Sequence, residues 1–90
     1  MTKNVAYMVE LNGKTHFVNN ISIGLFRKEF TLSEHYQSTN FDPIYLSNRY
    51  KYNVAKMIFD KLKYNFTWIQ VYMIRDDGTK EELLWHLMKL

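Results

Sequence analysis

The chain contains no cysteine, a single proline (Pro43) and only three glycines, Gly13, Gly24 and Gly78. Without cysteine there is no disulfide framework and no thiolate metal site. Three isolated glycines cannot form a phosphate-cradling loop, and no serine sits in the glycine-flanked elbow of a hydrolase nucleophile. The opening "MTKNVAYMVELNGKTHF" lacks a basic head followed by a long apolar run, so no signal peptide is expected. Apolar runs stay far below the roughly 20 residues of a membrane helix, and no membrane partner is expected. A reducing setting follows: the cytoplasm of a bacterial cell, including one infected by phage.

Metal and catalytic patterns are also missing. His16, His35 and His86 are far apart and share no ligand spacing. Asp76-Asp77 reads as a turn, where aspartate is favoured by its own backbone hydrogen bonding. "SEHY", Ser33 to Tyr36, puts a hydroxyl, a carboxylate and an imidazole together. Sequence neighbours rarely make a triad, because the base must approach the nucleophile from another part of the fold. The sequence therefore argues against an enzyme and implies no cofactor, no metal and no catalytic residue.

What is present is apolar and aromatic. Of 90 residues, 47% are hydrophobic and 17% aromatic, enough for one compact domain over 1–90 to build a core without staples. Twelve Lys and Arg stand against nine Asp and Glu, a net charge of +3. That mild excess permits an acidic partner without requiring one. Asn, Lys, Ile, Tyr and Phe are plentiful, whereas Ala, Gly, Pro and Arg are scarce. This usage follows AT-rich codons and points to a low-GC bacterium or one of its phages.

The elements read as an α+β domain: a small antiparallel sheet packed by helices on one face. Residues 4–20 form a hairpin around "LNGK". A two-residue loop would place Leu11 opposite Lys14 and Val9 opposite His16. A bulged turn at Gly13 would instead pair Glu10 with Lys14 and align Val5, Tyr7 and Val9 with Thr15 and Phe17. The second separates polar from apolar faces better and is the register expected. Over 21–46, one extended strand broken near Gly24, or two short ones, leads into the loop "QSTNFDP", with Asp42 extended before Pro43. A central helix over 48–64 starts from Ser47 as N-cap, with Val54, Ile58 and Leu62 inward. Residues 67–74 form a strand, with Ile69, Val71 and Met73 on one face and Trp68, Gln70 and Tyr72 on the other. The final segment forks. Thr79 and Glu82 make a capping box for a short C-terminal helix 80–89, the expected outcome, while Asp76-Asp77-Gly78 would alternatively turn into a last strand.

Two surfaces could bind. The sheet face away from the helices should carry Trp68, Gln70 and Tyr72, joined by Met8, His16 and Val18, and suits a protein partner or a second copy of the chain. The helix's outer face gathers Arg49, Tyr52, Lys56 and Lys63, with Asp60 near Lys56, and could track phosphates. The expectation is a small non-catalytic interaction module, an accessory protein of a phage or mobile element. It would occlude a host protein or nucleoprotein complex, such as a nuclease or immunity complex. The alternative is a basic nucleic-acid-binding protein using the helix.

Overall fold

The computed structural model describes residues 2–87. It is an α+β fold: a five-stranded antiparallel sheet with one α-helix on one face. The strands are β1 (Asn4–Leu11), β2 (Lys14–Ile23), β3 (Lys28–Ser33), β4 (Trp68–Arg75) and β5 (Lys80–Leu87). A 3-10 turn (Pro43–Leu46) and helix α1 (Lys51–Leu62) lie between β3 and β4. The spatial order is β3-β2-β1-β4-β5. Thus a three-strand meander and a two-strand hairpin meet at β1 and β4, and the segment between them carries the helix across one face.

The register of β1 and β2 is the two-residue loop, and the bulged alternative is corrected. Leu11 faces Lys14, Val9 faces His16 and Met8 faces Phe17. Asn12 and Gly13 both take positive φ, 50° and 88°. That pair matches the right-handed twist of the flanking strands. The turn is also fastened from outside. Asn12 Oδ1 accepts from Thr67 N (3.2 Å), Thr67 Oγ1 (3.1 Å) and Trp68 N (3.0 Å), and Asn12 N donates to the Trp68 carbonyl at 3.1 Å. These bonds dock the loop on the start of β4 and hold both residues in place. The expected Glu10–Lys14 pair does not form; Lys14 binds Glu34 instead.

β5 replaces the expected C-terminal helix, and residues 88–89 of that expectation lie outside the described residues. Gly78 sits at φ 86°, and Asp77 Oδ1 accepts from Thr79 N (3.0 Å) and Thr79 Oγ1 (2.7 Å). Thr79 is therefore spent on the hairpin turn and caps no helix. The adjacent Leu83 and Leu84 mimic a helical stripe. A bulge resolves them: Val71 pairs with Leu84 while Tyr72 pairs with Glu82, so one extra β5 residue lets both leucines pack on the core. A second bulge lies between Asn19 and Ser22, at Asn20 with φ 55°, and keeps both Val18 and Ile21 in the core.

Between sheet and helix lies the core: Tyr7, Val9 and Leu11 of β1, Val18 and Ile21 of β2, Ile69, Val71 and Met73 of β4, and Val54, Ala55, Met57, Ile58 and Leu62 of α1. Burying a Val, Leu or Ile side chain contributes about 1.5–3 kcal/mol, so this stripe is what holds α1 in place. The helix is shorter than the sequence suggests. Ser47 ends the 3-10 turn, and its carbonyl, rather than its hydroxyl, accepts from Tyr50 N and Lys51 N at 3.1 Å. Tyr50 is the N-cap residue, with no side-chain capping bond. As expected, Asp42 is extended (ψ 125°) before Pro43, and its carboxylate accepts from Ile44 N at 3.0 Å.

Candidate interaction surface

The β1–β2 ladder stops at Tyr7 opposite Val18, whereas β2 continues beside β3 to Ile23 and β1 beside β4 to Asn4. The returning loop fastens to the strands where they part. Asn40 Oδ1 accepts from Asn20 N at 3.0 Å, and Asn40 Nδ2 donates to Asn20 Oδ1 at 2.6 Å. Asn20 Nδ2 in turn donates to Thr31 Oγ1 at 2.6 Å. Phe41 then packs 6.5 Å from the Tyr7 ring, and the Tyr7 hydroxyl donates to the Tyr45 carbonyl. Burial pushes the Tyr7 phenol far above its ordinary pKa.

The loop also reaches the sheet face opposite the helix, on its β1–β2 side. On the β1–β2 side, Tyr36 meets Phe17 edge-on at 5.7 Å, and Ala6, Met8 and Asn19 are buried outside the main core. On the β4–β5 side the face stays open. There Gln70 stands directly opposite both Glu10 and Trp85, and Tyr72 opposite both Met8 and Glu82. Trp68 meets Trp85 edge-on at 5.4 Å, and its Nε1–H donates to Gln70 Oε1 at 2.9 Å. Trp85 is 53% exposed. Two indoles and an amide thus brace one another, so little side-chain freedom remains to be lost on binding.

The open half is flanked by acids. Partial burial first, then the carboxylates of Glu10 and Glu82, raises the Tyr72 phenol above its usual pKa. Lys80 lies further along β5, opposite Ile74.

Of the residues expected on this face, Trp68, Gln70 and Tyr72 come together. Met8 shares the face but is buried, at 5% exposure. His16 and Val18 stand opposite Val9 and Tyr7, both core residues, and so belong to the helix side. That is a correction, and its cause is the turn at Asn12-Gly13: a one-residue change of register moves every β2 side chain to the other face. Trp85, Glu10 and Glu82 were not anticipated. Reading 79–86 as a strand would have placed Trp85 beside Trp68.

The helix stripe is less coherent. Tyr52 and Lys56 are exposed on α1, while Arg49 precedes the helix and lies over the Tyr50 ring at 5.4 Å. Lys63 pairs with Asp60 at 3.6 Å, the acid the sequence had assigned to Lys56. Tyr52 leans towards β5, its hydroxyl donating to Glu81 Oε2 at 3.4 Å.

At one end of the helix lies an open cleft of about 820 Å³, lined by Lys3, Ser47, Lys51, Arg75 and Glu81 among others. Lys51 Nζ donates to both Glu81 oxygens at 2.8 Å, and Arg75 Nη2 to Oε1 at 2.7 Å. The Lys51 hydrogen bond, and the charges of Lys51 and Arg75, hold the Glu81 carboxyl below its ordinary pKa. These contacts tie α1 to the edge strand β5. Among the described residues, no three His, Cys, Asp or Glu side chains gather where they could hold a metal. Among the described residues, no helix is long and apolar enough to cross a membrane.

Comparison with protein-family models, with curated proteins and with solved structures gives no match to this chain.

Proposed function

We propose that the chain is a non-catalytic interaction module that docks by the open β4–β5 half of its sheet on a basic, partly apolar protein surface and occludes it. The observation that carries this reading is the braced pair Trp68–Trp85, beside Gln70 and Tyr72 and flanked by Glu10 and Glu82. Tryptophan and tyrosine are enriched, with arginine, among the few residues that dominate the binding energy of protein interfaces. Lysine and arginine of a partner would find aromatic faces and carboxylates together. A polyanion would be repelled by the same carboxylates, which favours protein over nucleic acid at this face. Surfaces that handle nucleic acid are themselves basic. A host nuclease or an immunity complex, met in the bacterial cytoplasm, is therefore the partner class that fits.

The test is capture from a nuclease-treated lysate of a low-GC bacterium on immobilised protein. Partners held by the wild type should be lost with Tyr72→Ala and Trp85→Ser, retained with Arg49→Glu, and released between about 50 and 200 mM salt. Identical capture by all variants would exclude the sheet face. Binding of single-stranded DNA or RNA that Trp85→Ser abolishes would move the reading to nucleic acid.

A further inference from the structure

Among the described residues, the most exposed large apolar side chains lie away from that face, on the turn between β2 and β3. Leu25 is 95% and Phe26 99% exposed. The turn is short and closed, with Gly24 N donating to the Arg27 carbonyl at 2.8 Å, so the two side chains are held outward by backbone geometry. The tip springs from Ile23 and Lys28, which face each other across the ladder. Both residues also line a cleft of about 440 Å³ between this hairpin and α1. Its other lining residues include the half-buried Tyr45 and Tyr50, the core residues Val54 and Met57, and the exposed Lys56. Asp60 also lines it but is paired with Lys63, and Arg27 is paired with Glu29 at 3.1 Å. The positive charges left at the rim are Lys28 and Lys56.

We infer that the Leu25-Phe26 tip and the cleft beside it form a second docking site, for a protein segment that carries a large apolar side chain flanked by carboxylates. The apolar side chain fills the cleft beside Ile23, Tyr45 and Tyr50. The outward-held Leu25-Phe26 tip adds apolar contact beside the cleft, and the acids of the segment meet Lys28 and Lys56. Charge sets this site apart from the open sheet face, which acids flank. A bilayer would use the protruding tip but leave the walled cleft unfilled, so the geometry favours a peptide over a lipid surface.

The test uses the isotope-labelled protein, followed by amide chemical shifts. The probes are the synthetic peptide acetyl-Glu-Asp-Glu-Leu-Trp-Glu-Asp-amide and its counterpart with every acid replaced by lysine. The acidic peptide should shift the amides of residues 23–28 and 53–57 and leave 68–72 unmoved. Leu25→Ser with Phe26→Ser, and separately Lys28→Glu with Lys56→Glu, should each weaken binding by about tenfold or more. All four positions lie at the surface or the cleft rim, and unchanged thermal midpoints would show that the fold is intact. Equal binding of the lysine peptide, binding that survives both double variants, or no shifts at millimolar peptide would overturn the inference. So would co-sedimentation with phosphatidylglycerol vesicles that Leu25→Ser with Phe26→Ser abolishes while the peptide fails to bind. None of these outcomes depends on the sheet-face reading.

Discussion

Replacing Glu81 by glutamine tests how α1 is joined to the sheet edge. Glu81 accepts from Lys51 through both oxygens and from Arg75 through one, and the Lys51 side chain is only 11% exposed. Glutamine keeps the volume and one acceptor but removes the charge, leaving Lys51 buried without compensation. Removing one partner of a fully buried pair costs about 3–5 kcal/mol, and an exposed pair is worth about 0–1 kcal/mol. The Glu81 side chain is 23% exposed, so the expected loss lies between those limits, about 2 kcal/mol or a fall in Tm of about 8–16 °C. Lys51→Met should cost less, because it removes the buried charge and leaves Glu81 with Arg75. The pH dependence has a definite sign. The folded pKa of Glu81 is depressed, so its contribution is full above the ordinary value of 4.5 and is lost as pH falls through the folded value. Urea unfolding followed by circular dichroism, from pH 7 to pH 2, should therefore show a gap between wild type and Glu81→Gln that closes in acid. A gap below about 0.5 kcal/mol at pH 7, or one that persists undiminished at pH 2, would refute the reasoning.

Asn12→Ala removes the acceptor of three bonds to Thr67 and Trp68 and should cost about 1–3 kcal/mol, with the loss of amide protection at Thr67 and Trp68 visible in hydrogen exchange. Tyr7→Phe leaves the Tyr45 carbonyl without its donor and should cost about 1–2 kcal/mol near neutrality. Because the folded Tyr7 pKa is raised, its contribution is full below the ordinary value of 10.0 and fades above it. The difference between wild type and Tyr7→Phe should shrink in alkaline urea titrations, and a constant difference would exclude a buried neutral phenol.

Legibility differed from element to element. Val54, Ile58 and Leu62 repeat at helical spacing, and Ile69, Val71 and Met73 alternate; both groups lie in the core. Those patterns are readable because each element has one buried face and a fixed period. Thr79 and Glu82 at capping-box spacing, and Leu83-Leu84 in an apolar stripe, point locally to a helix over 80–89, whereas the strand needs a bulge to bury both leucines. The polarity of the two hairpin faces favours the bulged register and puts His16 beside Met8, but the two-residue turn places it opposite Val9. Phe17 finds its contact on the far side in Tyr36, a residue of the later loop. Trp68, Gln70 and Tyr72 could be assembled from β4 alone, while Trp85, Glu10 and Glu82 needed strand neighbours that are distant in the chain.

Composition and periodicity by themselves determined an α+β fold without disulfides, an amphipathic helix, a strand over 67–74 with one inward face, turns at Asn12-Gly13 and Asp76-Asp77, and a break near Gly24. These follow from local rules: backbone sterics at glycine and asparagine, and the burial of one face per element. Tertiary structure decided the register of β2, the bulges, the strand fate of residues 80–87 and which side of the sheet face the loop reaches. Each of those depends on bonds between residues far apart in the chain, such as Asn12 with Thr67 and Asn20 with Asn40. Local preference leaves two conformations close in energy there, and the contact made after folding selects one of them.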